Sequence, residues 1–214
     1  MLTPKSYTDK NKSDLTSKQI NALLDFSLAE YGSGVEMAQA AKVVNDINLA
    51  SGFLRHAFDE YRHMGVFRQI AQSVAHRKKI TNLTPYISRN VFDKRYIDPQ
   101  SFLFEKMSFD HFVVFILTNE RYASNILINI ITKQNILNKD EISQLQNIMK
   151  DEERHVGFAG AFVKSFQNTH PIKARVLYVW ERLDLMRRNI QSRSQGVYNF
   201  FSKMIISISL WIFI

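Results

Sequence analysis

Two short words in this chain carry residues that can do chemistry together. Positions 59–67 read DEYRHMGVF and positions 151–159 read DEERHVGFA, so both contain Asp-Glu-x-Arg-His-x-Gly. In each word a Glu and a His stand three apart, and on a helix positions i and i+3 share a face. Glu60 with His63, and Glu152 with His155, can each offer one carboxylate and one imidazole to a common point. A lone Glu-x-x-His is a weak signal. Roughly 0.25 such pairs are expected here by chance, which is ordinary for a short motif. Two pairs, each preceded by Asp and each with Arg before the His, are much harder to reach by accident.

The two pairs form one site only if each faces a further ligand at the same height on a neighbouring helix. In an antiparallel hairpin, equal height means equal distance from the turn. Turn signals lie at NDIN (45–48) and at KQNILNK (133–139). Counted across the first turn, Glu30 stands opposite Glu60. Counted across the second, Glu120 stands opposite Glu152. At about 1.5 Å per residue, all four carboxylates lie roughly 22–24 Å from their turns. Glu36 competes with Glu30, but it requires the first turn to be centred later in the sequence. Four carboxylates facing one interior cannot all ionise without cations. Two divalent ions balance four Glu and two neutral His. Oxygen-rich donors with one nitrogen per ion suit iron or manganese better than copper. The chain has no cysteine, which excludes zinc–thiolate sites, iron–sulfur clusters, disulfides and thiol nucleophiles.

Glu30, Glu60, His63, Glu120, Glu152 and His155 together resemble the ligand set of the ferritin-like di-iron carboxylate proteins, and the likeness covers residues 17–167. The resemblance implies two iron ions, or a manganese–iron pair. Glu60 and Glu152 would bridge them, Glu30 and Glu120 would be terminal ligands, and His63 and His155 would complete one ion each. The longer word Asp-Glu-x-Arg-His is similar to those of bacterial multicomponent monooxygenases and acyl-carrier desaturases. There the Asp and Arg lie beneath the histidines. That likeness implies that Asp59 meets Arg154 and Asp151 meets Arg62 across the helices, orienting the imidazoles, as carboxylates behind a ligating His do. A shorter stretch, AEYG at 29–32, is similar to the first ligand helix of di-iron quinone-biosynthesis hydroxylases. The activity implied is an O2-dependent di-iron oxidoreductase of monooxygenase or hydroxylase type, acting on an apolar or lipid-like small molecule. An external donor would supply electrons, because no flavin or nicotinamide fingerprint is visible. No catalytic or cofactor-binding residue is indicated beyond the metal site. Three other readings stay open: a di-iron tRNA hydroxylase, a ferritin- or rubrerythrin-like iron or peroxide protein, and a metal-free helical interaction protein.

The elements that must position these residues are helices. Of 214 residues, 45% are apolar and only 7 are Gly and 4 Pro, too few punctuators for a turn-rich β-sandwich. Thr16 with Gln19 resembles a capping box, so residues 1–15 read as a flexible arm and a first helix as running over about 17–44. A second helix is expected over 49–78, ending in the basic HRKK. Residues 80–106 hold Pro85 and Pro99 without a sustained period and read as a long connection with short helical pieces. Helices over 108–133 and 139–167 follow, the latter capped by Asn138 with Glu141. The layout is all-α: two antiparallel hairpins joined by one long crossover over residues 16–167. That matches the ferritin-like four-helix bundle, although the pattern alone also fits other helical proteins. Residues 168–214 form a C-terminal extension, first basic (Lys173, Arg175, Arg182, Arg187, Arg188, Arg193) and helical, then apolar at MIISISLWIFI (204–214).

That tail is too short to span a bilayer, which needs about 20 residues; it is left as either membrane-interfacial or packed in a groove. The first fourteen residues lack a signal-peptide core, so the expected location is cytoplasmic, with a peripheral place at the inner membrane face left open. The net charge of +8 suits nucleic acid, an anionic membrane surface or acidic ligands and does not choose among them; a membrane surface is kept as a partner and nucleic acid is ranked below it. A homodimer is left open. Gly32 and Gly34 either open space beside Glu30 or let helices pack closely, while Gly65 and Gly157 are expected at packing contacts. His56 is expected to be a core imidazole or one that supports the ligands. Tyr31 and Tyr122 are expected in the core, and Ser124 is a candidate pocket hydroxyl. His76, His111 and His170 carry no argument.

Overall fold

The computed structural model describes residues 7–80, 102–133 and 135–193. Among these it contains six α-helices and no strand: α1 (Tyr7–Val43), α2 (Ile47–Arg77), α3 (Leu103–Lys106), α4 (Phe109–Lys133), α5 (Lys139–Thr169) and α6 (Pro171–Arg193). The expected crossover falls largely on residues 81–101 and the apolar tail on 204–214. Both lie outside the described residues, as do residues 1–6 of the expected arm. No helix among the described residues is long and apolar enough to cross a membrane.

Local signals account for most boundaries. Asp46 accepts hydrogen bonds from the backbone N–H of Asn48 (2.8 Å) and Leu49 (2.9 Å), capping α2. At the far end of α2, Lys79 has φ 53° and the chain leaves the helix there. Asn138 and Glu141 form the reciprocal capping box of α5: each backbone N–H donates to the other's side chain at 2.8 Å. Pro171 opens α6, where its missing N–H costs nothing. One boundary differs from expectation. The helix does not wait for Thr16 but begins at Tyr7; neither Gly nor Pro interrupts residues 7–15, and a capping residue does not by itself start or stop a helix.

The chain divides into two compact units, and the division passes through α4 and α5. The first holds α1, α2, the end of α4 from Ala123 and the start of α5 to Arg154. All four segments feed one core: Leu23 and Phe26 from α1, Phe67 and Ile70 from α2, Leu127 from α4 and Leu145 from α5. Phe26 and Phe67 stack with centroids 5.1 Å apart. Burying side chains of this size is worth about 1.5–3 kcal/mol each. Arg77 closes the unit's end. Its guanidinium donates to Glu141 Oε2 (2.7 Å) and to the Ile136 carbonyl (2.9 Å), tying the end of α2 to the turn before α5. α1 packs along α2, and Gly34 permits it: a Cβ there would stand 3.1 Å from Tyr61 Cε1 and 3.3 Å from the Ala57 carbonyl. Gly34 is therefore a packing glycine. Gly65 and Gly157, expected at packing contacts, are not, since a Cβ at either meets nothing within 4 Å.

The second unit holds α3, α4 up to Tyr122, α5 from His155 and α6. Edge-to-face pairs Phe104–Phe112 (5.3 Å) and Phe109–Phe162 (6.1 Å) lie within it. α6 turns Ala174, Glu181 and Leu185 inward, and His111 Nε2 lies 2.6 Å from the buried Glu181 carboxylate.

Candidate metal centre

The helical stripe that builds the core also carries the carboxylates inward. On α1, Leu23, Phe26, Ser27, Glu30, Gly34 and Met37 recur at three- and four-residue spacing, and all are buried. On α2 the stripe runs Phe53, His56, Glu60, His63, Phe67, and on α5 it runs Leu145, Ile148, Glu152. Ser27 fixes the height of α1 against α2 by donating to the Met64 carbonyl at 2.9 Å. Burying an acid at the centre of such a stripe costs free energy unless something offsets its charge.

In the first unit Glu30, Glu60, His63 and Glu152 converge, each offering one donor atom within 4.8 Å of the others, and all four are buried. His63 Nδ1 stands 3.2 Å from Glu152 Oε1, 3.8 Å from Glu30 Oε2 and 4.0 Å from Glu60 Oε2. Donors about 2.1 Å from one octahedral ion stand about 3.0 Å apart at right angles and about 4.2 Å apart across it, so the observed spacings match a single cation's shell. The donor chemistry agrees. Three carboxylates this close repel one another unless a positive charge sits among them. Burial lowers the His63 pKa, but hydrogen bonds to Glu152 and Glu30 outweigh it and push it up to about 10. The group thus demands a positive charge, which a divalent ion supplies in place of the proton. Glu36, also buried, is not in this group.

Behind His63 lies a closed ring of four charges. Arg62 donates to Asp59 (3.1 Å) and to Asp151. Arg154 donates to Asp59 (2.6 Å) and to Asp151 (2.7 Å). Each arginine therefore joins the Asp of its own helix to the Asp of the other, and the ring is neutral. Asp151 Oδ2 also lies 3.3 Å from His63 Nε2. With Nδ1 facing the carboxylates, an Nε2–H would donate to Asp151, the arrangement that fixes a ligating imidazole's tautomer. Burial would raise the Asp151 carboxyl, but hydrogen bonds from Arg62, His63 and Arg154 take it down to about 2. The aspartates are 15% and 14% exposed and the arginines 49% and 45%, so the acids point inward and the guanidinium groups cover them.

Two further pairs of metal-binding types are buried. His56 Nε2 lies 2.8 Å from Glu60 Oε1 in the first unit. In the second unit, His155 Nδ1 lies 3.8 Å from Glu120 Oε2. Buried His and Glu that could hold metal thus occur beyond the first four-residue group. Other expected residues fall elsewhere. Tyr31 is 52% exposed, with its ring 6.1 Å from that of Tyr61, so it is not a core tyrosine. Tyr122 and Ser124 are half-buried, and His76 and His170 are exposed. The His111–Glu181 pair was missed in the sequence. Its one signal is the spacing of Ala174, Glu181 and Leu185, which places Glu181 on the inward stripe of α6.

Comparison with protein-family models, curated proteins and solved structures returns no match.

Proposed function

We propose that this chain is a ferritin-like four-helix-bundle protein with a di-iron or manganese–iron centre, and that it is an O2-dependent hydroxylase or monooxygenase of an apolar small molecule. One observation carries the reading: three buried carboxylates and an imidazole at cation spacing, backed by the Asp59–Arg62–Asp151–Arg154 ring. Storage or a plain ion pair has no need of that ring, whereas a centre whose histidine must hold one orientation through repeated turnover does. By the family likeness, Glu30, Glu60, His63, Glu120, Glu152 and His155 would hold the two ions.

The bound metal pair supplies the activation of dioxygen. The chain's own residues do the rest. Glu30, Glu60 and Glu152 are held below 10% exposure, so their charges act at short range in a nearly dry interior. Asp151 faces His63 Nε2, so Nδ1 is the nitrogen left to take an ion in place of a proton. The arginine ring keeps Asp151 ionised, so the imidazole's orientation survives changes of charge at the centre. Electrons come from an external donor.

The substrate class is read from α6 and the tail. On α6, Ile172 (80%), Val179 (49%) and Met186 (56%) are exposed, with Arg175 and Arg182 exposed on the same helix. An exposed apolar stripe with basic neighbours suits an anionic membrane surface that also stores apolar substrates. Binding to anionic but not neutral vesicles supports that reading. Steeply salt-dependent RNA binding with no vesicle binding would favour the tRNA hydroxylase instead.

The test of the activity is isotopic. Protein loaded with ferrous ion without oxygen is given 18O2, a chemical reductant and a panel of apolar acyl and aromatic compounds. The proposal expects dioxygen uptake faster than free ferrous ion and 18O in an organic product. Iron accumulating as mineral in a large assembly, with no labelled product, would move the reading to storage.

A further inference from the structure

We infer that His56 is a third imidazole ligand, placing its Nε2 on the same ion as Glu60 Oε1 and making the two metal positions chemically unequal. The inference rests on the two-metal reading and goes beyond it, because the doubled word supplies only one histidine per ion.

Three observations meet at this residue. The first is symmetry and its failure. Asp, Glu, Arg and His repeat in register between the two words, but four residues before Glu152 the chain has Ile148, which is 1% exposed and packs in the apolar core. Four residues before Glu60, the equivalent place holds an imidazole instead. The second is burial. His56 is 2% exposed on the stripe between Phe53 and Glu60. A buried imidazole where its counterpart is a core isoleucine carries a desolvation cost that a merely space-filling residue would not. The third is spacing. Nε2 of His56 lies 2.8 Å from Glu60 Oε1, close to the about 3.0 Å between two donors at right angles on one ion. His56 and Glu60, i and i+4 on α2, therefore present nitrogen and oxygen side by side, with Glu60 about one turn from His63 on the same face.

The consequence is a centre with three imidazoles. The ion held by His56 has one more neutral nitrogen donor than a symmetric site gives it, so the two ions differ in donor set and are distinguishable by spectroscopy.

The test uses the full chain loaded with 57Fe(II). Mössbauer spectra of the wild type are expected to show two distinct ferrous doublets of equal area. His56→Gln keeps an N–H close to the position of Nε2 and so keeps a hydrogen bond to Glu60, while His56→Ala removes both roles. If His56 is a ligand, both variants weaken Fe(II) and Mn(II) binding to one of the two positions by about 10-fold or more, and in both only one doublet moves. If His56 only hydrogen-bonds Glu60, His56→Gln binds both ions as the wild type does with an unchanged spectrum, and the inference is overturned. A single doublet of two iron ions in the wild type, which needs no variant, overturns it as well. A wild type that binds no iron overturns the two-metal reading itself and this inference with it. Circular dichroism confirms that each variant is helical before its metal binding is compared.

Discussion

Asp151→Asn is the perturbation with the most definite consequence. The carboxylate accepts from Arg62, from Arg154 and, at 3.3 Å, from His63 Nε2. The arginines are about half exposed, and ion pairs of that kind are worth about 0–1 kcal/mol each. Burial pushes the carboxyl up, and the hydrogen bond from Arg62 does most to bring it down, followed by those from His63 and Arg154. The Asp151 carboxyl sits at about 2 against an ordinary 3.8, which by linkage is worth about 2.5 kcal/mol to the folded state. The sign follows from the depressed value: the contribution is present above the unfolded pKa and lost as pH falls through about 2. Asparagine keeps the shape and one acceptor but removes the charge. We expect metal-free Asp151→Asn to unfold at a urea midpoint lower by roughly 0.8–1.2 M at pH 7, taking an m-value of about 2–3 kcal/mol/M. The gap should narrow as pH falls below about 4. Freed of its carboxylate, His63 should also hold metal about 10- to 100-fold less tightly, read from the free Mn(II) signal in a titration. A variant with wild-type midpoint and wild-type Mn(II) affinity would refute the claim that this ring orients His63.

Other expectations are as direct. Gly34→Ala brings a Cβ to 3.1 Å from Tyr61 and should destabilise despite alanine's better helix propensity. Gly65→Ala and Gly157→Ala meet nothing and should each gain about 1 kcal/mol by thermal or urea unfolding; the opposite ranking would contradict the packing described. Arg77→Met removes the bonds to Glu141 and to the Ile136 carbonyl and should cost about 1–3 kcal/mol. Burial raises the Glu141 carboxyl, but hydrogen bonds from Arg77 and Asn138 lower it overall. The cost of Arg77→Met should therefore be full near neutrality and shrink as acid protonates Glu141. A cost independent of pH would show that the loss lies in packing alone. Glu152→Gln should stabilise the metal-free protein, because it relieves carboxylate repulsion beside Glu30 and Glu60, while lowering metal uptake.

Much of the arrangement was legible because the same helical period sets both core and site. The NDIN stretch, and Asn138 with Glu141, placed the two turns within a residue or two. Equal distance from those turns singled out Glu30 over Glu36, and Glu30 is the one that meets Glu60, His63 and Glu152. The cross-pairing of Asp59 with Arg154 and of Asp151 with Arg62 came from a family likeness rather than from periodicity. What stayed hidden was of another kind. The start of α1 at Tyr7 depends on the absence of a stop, and a capping residue is only a permissive start signal. Whether a glycine is a packing contact depends on what stands opposite it: Tyr61 faces Gly34, and nothing faces Gly65 or Gly157. The closeness of His56 to Glu60 depends on rotamers, and the pairing of His111 with Glu181 depends on how α6 docks. Neither is encoded in spacing alone.

The central claim is that this chain holds two metal ions on glutamates and histidines. Its most direct test is the metal content of the purified protein, by elemental analysis after loading with ferrous iron or manganese and exhaustive desalting. The account predicts about two ions per chain and a drop to near zero in a Glu60→Ala, His155→Ala double variant that remains helical. No bound metal in the wild type, or the same amount in the double variant, would contradict it.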